Sequence, residues 1–497
     1  MAKSRSIALS AFAGIIGLLA CWSMISPLFS APDEESHVVW AAALNAGTSG
    51  LTYTAANGGT FRLVTVPAVA AAGVTGPHGA YAKCFNSQDD VPATCAPALP
   101  TSTALVTAGT HSAEYPPMYY LAVGVPMAIQ PTEGGLWAMR FVADFLVAIF
   151  LALSVLAIHK HSSNRFLWLG LLFGVTPQVI YLGGVINPSG LEIAASICFW
   201  VTAVILTTEW KSDPSRGLLS ILAFSGAVLV FCRSLSPIMA AAIGIVTLVQ
   251  LPLKTWGTLL WHRRTALTCT MVLALASLGA VAWSLTHRGF KVIPRQAEVA
   301  VIAHSPFSDI LLGSAKQLHH WMTESIGQFG WLTLHLPNPI YVGWMIAVVG
   351  LVLWGLVVGT WRQRLALLLV SVFAILGPVL LVASQARTLG YVWQGRDGMP
   401  ILVGMPILAA GIIGTRSAAR TAQRRLSRIA FVVVPLVDLA AFFLVARRFS
   451  VGTSGPWSYF LHPSWQPILP ELVLLSAATF FTLLLSAGLW RAVRQLR

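Results

Sequence analysis

The stretch that decides the fold is residues 7–37, IALSAFAGIIGLLACWSMISPLFSAPDEESH. Ile7 to Phe29 is an apolar run long enough to cross a hydrocarbon layer of roughly 30 Å. Directly after it, three acids and an imidazole are gathered in Ala31-Pro32-Asp33-Glu34-Glu35-Ser36-His37. Acids held at the mouth of a span can ionise and meet water while still facing lipid, which marks a candidate reaction site. The plainer alternative is a solvated interface. Lys3 and Arg5 ahead of the run and the small pair Ser30-Ala31 resemble a signal peptide, but Pro32 and the length of the run favour a retained signal anchor.

Working outward, composition sets the class. Hydrophobic residues make up 56% of the 497 and charged ones only 10%, far from the roughly 25% charge of a soluble domain. The chain reads as an all-α polytopic membrane protein, a single transmembrane domain over 1–497. About twelve spans are expected, near 7–29, 136–158, 166–184, 189–207, 217–235, 236–253, 266–286, 339–359, 364–384, 399–415, 428–446 and 468–490.

Short loops carry the basic residues: Lys160 and Arg165, Lys211 and Arg216, Lys254, Arg263 and Arg264, Arg362 and Arg364, and Arg416 to Arg428. The positive-inside rule makes that side cytoplasmic, with both termini on it. The net charge of +14 is then a topology signal, and no soluble basic face remains to bind nucleic acid.

The long polar stretches fall on the opposite, outer side, at 30–135 and 287–338, with a shorter loop at 384–398. Cys84 and Cys95 both lie in the first of these, where a disulfide could persist. Cys21, Cys198, Cys232 and Cys269 read as small buried residues. Met118 to Ala128, bounded by Pro116 and Pro117, reads as a helix at or dipping into the interface. Tyr115, Tyr119 and Tyr120 are then belt aromatics or sugar-stacking rings. The second loop holds Phe307–Leu312 and Leu318–Met322, patterned as an interfacial helix and a candidate lid. His320 and Glu324 are spaced as helical partners, as are Arg140 and Asp144 in the second span. Asp438 has no sequence-local partner.

A retained first span followed at once by an acidic pair, a long outer loop ending in Pro116-Pro117-Met118-Tyr119-Tyr120, and about a dozen spans resemble the GT-C class of integral-membrane glycosyltransferases. Four further elements resemble a family of predicted bacterial membrane proteins, the domain of unknown function 2142. They are Pro32-Asp33-Glu34 with His37, Thr176-Pro177 followed by Asn187-Pro188-Ser189-Gly190-Leu191-Glu192, Ile326-Gly327-Gln328-Phe329-Gly330-Trp331-Leu332, and Gln394-Gly395-Arg396-Asp397 before Met399-Pro400. The chain departs from that family's pattern at Thr333 and Asp397.

The resemblance implies transfer of a sugar from a polyprenyl-phosphate donor to an envelope glycan, lipid or protein acceptor, in a bacterial plasma membrane with the active site on the outer face. The short cytoplasmic loops agree, since they cannot form a domain for a nucleotide sugar. Such chemistry needs a general base and a cation for the leaving phosphate. Asp33 is the expected base, with Glu34 its rival. Arg396 is the expected phosphate ligand, its planar fork of donors suiting phosphate oxygens, helped by Arg387, Lys291, Arg295 and Arg233. His37, Tyr115, Tyr119, Asn187, Glu192, His320, Trp331 and Gln394 are candidates for the substrate pocket. Glu34-x-x-His37 alone is a poor metal signature, so no transition metal is expected, while a divalent cation beside the phosphate stays open. The preference for Ala, Val and Arg over Lys points to a GC-rich bacterial genome and to an arabinose or mannose carrier. The competing classes are a transporter or flippase of lipid-linked saccharide, for which midplane charges and inverted repeats are expected, and a noncatalytic envelope scaffold.

Overall fold

The computed structural model describes residues 2–48, 50–54, 60–74, 81–210, 214–287, 299, 302–416 and 420–495. It is 73% helical. Helix α1 (Ala2–Ile25) is the first span, and α2 (Glu34–Asn45) restarts the chain after it. A three-stranded antiparallel sheet follows, β1 (Leu51–Thr54), β2 (Thr60–Pro67) and β3 (Leu105–Thr110), in the order β1-β2-β3. Then come α3 (Met118–Val123), α4 (Val125–Ile129), α5 (Glu133–His161), α6 (Leu167–Gly174), α7 (Pro177–Gly183) and α8 (Pro188–Thr208). Next are α9 (Arg216–Val230), α10 (Ser236–Val249), α11 (Leu253–His262), α12 (Arg264–Thr286), α13 (Phe307–Lys316) and α14 (Leu318–Gly327). A short hairpin, β4 (Gln328–Phe329) with β5 (Leu334–His335), leads to α15 (Asn338–Val358) and α16 (Trp361–Leu389). The chain closes with α17 (Gly395–Leu402), α18 (Gly404–Gly414), α19 (Arg420–Val451) and α20 (Glu471–Gln495).

Among the described residues nine helices are long and apolar enough to cross a membrane, with α17 and α18 counted together, or ten if the bent pair α10 and α11 is one span. Nine or more candidate spans fit the all-α polytopic membrane class expected from the sequence, and three of the twelve apolar runs take a form other than one long straight helix. The apolar run 166–184 is split, because Pro177 cannot continue α6 and α7 starts anew at it. The run 217–235 is a helix of only 15 residues, and α10 turns by 105° into α11.

Local chemistry explains the starts. Asn187 caps α8, its Oδ1 accepting from the Ser189 N–H at 2.9 Å, with Pro188 at the first helical position. Thr360 and Gln363 form a reciprocal capping box on α16. Close helix approach depends on glycine: a Cβ on Gly404 would fall 2.2 Å from the Trp200 ring, the small-residue contact common between membrane helices.

The segment from Met118 is corrected too. It is two short helices broken at Gly124, where a Cβ would fall 2.2 Å from the Ala41 carbonyl oxygen. Tyr119 and Tyr120 are fully buried, so they are not belt aromatics. Cys84 and Cys95 are disulfide-bonded. Arg448 of α19 holds the same loop by donating to the carbonyls of Phe85, Gln88 and Val91 at 2.6–2.9 Å.

The expected ion pair within α5 does not form. Arg140 turns to Glu34, and Asp144 instead accepts from the Ser23 hydroxyl at 2.8 Å. Asp438 lines an apolar cavity of about 120 Å³ shared with Ile15, Val155, Leu171 and Thr482.

Candidate functional site

Asp33 is the turning point between α1 and α2. Its backbone is left-handed, φ 66°, a conformation that Asp tolerates better than most residues. Its side chain makes no cap bond to its own helix. It meets Arg396 instead, in an ion pair between residues 363 positions apart. Arg396 is almost fully buried and also donates to the Pro32 carbonyl at 3.0 Å, while the Asp33 side chain stays 50% exposed. Burial pushes the Asp33 carboxyl up, but the Arg396 guanidinium, aided by Arg233, outweighs it and holds the group below the usual carboxylate range. It is a base that stays ionised and open. Nε of Arg396 lies buried without a hydrogen-bond partner among the described residues, unused polar capacity beside the half-exposed Asp33 carboxylate.

Glu34 has a different setting. Its side chain is 1% exposed and receives both arms of the Arg140 guanidinium at 2.7–2.8 Å, plus the Ile186 N–H at 3.1 Å. Arg140 spends its remaining donors on the carbonyls of Ser23, Ser26 and Pro27. This closed bidentate pair pins the restart of the chain onto α5 and leaves Asp33, not Glu34, as the exposed carboxylate of the two. Glu35, which sequence reading left without a separate role, has its carboxyl pushed up to about 8 by burial, with Asp33 and Glu34 adding to the rise. It is protonated at neutral pH.

His37 is buried one turn along α2. Its Nδ1 lies 2.9 Å from the Tyr120 hydroxyl and 2.8 Å from the Ser112 hydroxyl, and its ring stacks on Tyr115. Burial pulls the imidazole down to about 3, so it is neutral. Ser36 completes the wall through the Thr110 hydroxyl at 2.9 Å, tying α2 to β3.

A second cation closes the other side. Arg233, between α9 and α10, pairs with Asp397 at 2.5 Å and Glu192 at 3.7 Å and lies over the Tyr115 ring. Ser236 donates to Glu192 at 2.6 Å. Asp397 also accepts from the Gln394 N–H at 3.0 Å, so one carboxylate both starts α17 and holds Arg233 to it. Asn187 donates to the Pro32 carbonyl at 3.2 Å. The Gly395 N–H donates to Glu324 at 2.5 Å, the Ser325 hydroxyl to the Gly395 carbonyl, and the Trp321 indole to the Trp393 carbonyl. Helix α14 is thus a wall clamped on the Arg396 segment. Burial raises the Glu324 carboxyl to about 7 against the stabilising Gly395 bond.

Asp33, His37, Tyr115, Asn187, Glu192, Gln394 and Arg396 are therefore linked through one polar cluster, with Tyr119 buried behind it. Others fall elsewhere. Arg387 is exposed on α16 and donates to the Ser305 carbonyl. His320 is exposed, and its expected partner Glu324 is committed to Gly395. Trp331 sits 37% exposed in the β4–β5 turn. Lys291 and Arg295 lie outside the described residues. Among the described residues no three imidazoles, thiols or carboxylates converge as a metal site. Sequence reading gave Arg140 to Asp144 and Glu324 to His320, because helical spacing shows only partners on the same helix.

Beneath the cluster runs an apolar groove of about 230 Å³, lined by Phe173, Ser325, Trp344, Met399, Val403 and Met405 among others. Met399 is one turn beyond Arg396, and Ser325 is bonded to Gly395, so the groove begins where the polar site ends.

Fold and cluster together define an all-α polytopic membrane protein with a polar site built where the first span hands over to its loop. The chain matches the family described as predicted membrane protein, DUF2142, over residues 16–405, and it belongs to that family. No curated protein matches it.

Proposed function

We propose that the protein is a GT-C type glycosyltransferase that moves a sugar from a polyprenyl-phosphate donor to an envelope glycan, lipid or protein acceptor, in the bacterial plasma membrane with Asp33 on the outer face. The contact that carries this reading is Asp33 with Arg396, an open carboxylate and a buried guanidinium at the head of an apolar groove. Asp33 takes the proton from an acceptor hydroxyl. The freed oxygen attacks the anomeric carbon, the carbon–oxygen bond to phosphate breaks, and the phosphate leaves with the electron pair toward Arg396 and Arg233. The lipid tail occupies the groove between α14, α15 and α17. The basic short loops support the orientation, with both termini cytoplasmic. A divalent cation beside the phosphate is compatible with the acids nearby.

The test is purified protein in lipid, given radiolabelled polyprenyl-phosphate sugars, arabinose and mannose among them, and envelope acceptors. A glycosidic product lost in Asp33→Asn and Arg396→Ala supports transfer. Product formation untouched by both changes, or none from folded wild type with any donor, overturns it. A second reading, a flippase of lipid-linked saccharide, is favoured by the ionisable Asp438 in an apolar cavity among the spans. It predicts translocation of labelled donor without transfer.

A further inference from the structure

Within the bundle, α1, α5, α6, α7, α19 and α20 leave between them the cavity of about 120 Å³ that Asp438 lines. Its wall is aliphatic or proline except at three residues, Asp438 on α19 and Thr482 and Ser486 on α20. Asp438 is 8% exposed and Thr482 4%. Neither carboxyl oxygen nor the threonine hydroxyl has a hydrogen-bond partner among the described residues. From α1 the Trp22 indole reaches toward the carboxyl, yet its N–H makes no bond of full hydrogen-bond geometry either. Polar atoms left bare in an apolar wall are costly, so a native fold keeps them where something else completes them.

The wall decides what completes these. Water would satisfy the carboxyl end and leave the aliphatic remainder dry. A cation would bring its charge into a space with one acid and no aromatic ring in its lining. A neutral hydroxyl donates one hydrogen bond and accepts others, which suits Asp438 and Thr482, and an alkyl chain behind it suits Leu151, Leu171 and Leu485. The space is a little smaller than the roughly 150 Å³ of a core cavity that takes up benzene, so it holds about six carbons. Val433, Leu436 and Leu483 stand 48%, 58% and 62% exposed on the same two helices, so the hydrocarbon of the bilayer lies beside the cavity. We propose that the cavity binds the hydroxyl end of a neutral alcohol dissolved in the membrane, its hydroxyl on Asp438 and Thr482. The groove under Arg396 shares no residue with it, so its occupancy is read without reference to sugar transfer.

The experiment is photolabelling of the full-length protein in phosphatidylcholine nanodiscs with 3-azioctanol, an eight-carbon alcohol that carries a photoreactive diazirine, the labelled residues being read by peptide mass spectrometry. Wild type is expected to take label within the lining stretches 434–438 and 482–489, and 1-octanol to displace it where octane does not. Asp438→Leu combined with Thr482→Val is expected to lower that labelling about tenfold, the worth of one to two hydrogen bonds, while Asp438→Asn, which still donates and accepts, keeps most of it. Thermal melting identifies any variant that fails to fold, and Thr482→Val alone then takes the place of the double, with part of the loss expected. Absence of label from the lining in wild type overturns the proposal and leaves the space to water. Displacement by octane as effective as by octanol overturns it by making the polar atoms idle, and stronger displacement by octylamine does so by making the site one for a cation. Unchanged labelling in the folded variants likewise overturns it.

Discussion

Two adjacent acids with opposite settings give opposite predictions. Asp33 is half-exposed and held ionised by Arg396, so Asp33→Asn is expected to lower the melting temperature only modestly and to lower transfer about 100- to 10,000-fold, the usual contribution of a positioned base. Glu34→Gln is expected to destabilise instead, by about 3–5 kcal/mol, because it leaves the Arg140 charge buried and unpaired. Melting curves beside transfer rates separate the two. Glu35 supplies the pH prediction. Its carboxyl is raised from the ordinary 4.5 to about 8, so between those values the folded protein holds a proton there that the unfolded chain releases. The resulting stability is present below pH 4.5 and declines as pH rises toward 8. Glu35→Gln removes that decline, so melting compared at acid and mildly alkaline pH should show the variant gaining on wild type as pH rises.

At the scale of elements, the site depends on how α17 is seated against α14. A Cβ on Gly395 would fall 2.4 Å from the Trp321 carbonyl oxygen and 2.9 Å from the Ser325 nitrogen. Gly395→Ala is therefore expected to cost about 1–3 kcal/mol and to move Arg396 from Asp33, so that transfer and melting temperature fall together. The disulfide acts on another element, the loop that Arg448 fastens to α19. Replacing Cys84 and Cys95 by Ser is expected to cost about 2–4 kcal/mol, read as a lower melting temperature that a reductant reproduces in wild type.

For the whole molecule, the proposal makes the groove a lipid channel that ends at a polar site. Leu402 is among its lining residues and lies away from the charged contacts. Leu402→Trp is expected to raise the KM for long-chain donors about tenfold and to spare a short-chain analogue, with little change in kcat. Equal effects on both donors would show that the groove does not hold the tail.

The sequence by itself determined the membrane class, the helical spans from 7, 136, 189, 266, 339, 364, 399, 428 and 468, the cysteine pair, and the motifs that carry Asp33 and Arg396. These follow from composition, runs of apolar residues and local motifs, all written along the chain. Only the tertiary structure decided which acid is open and which is sealed. Glu34 and Asp33 are neighbours in sequence, yet Arg140 takes one and Arg396 the other. It also decided that Asp397 joins Arg233, that Glu324 serves Gly395 and not His320, and that α6 and α7 are separate helices. Helical spacing identifies neighbours within one helix, whereas a buried charge takes the partner that packing brings to it, here from as far as 363 residues away. The fold is therefore largely a local property of this chain, and the candidate site is a property of how its helices pack.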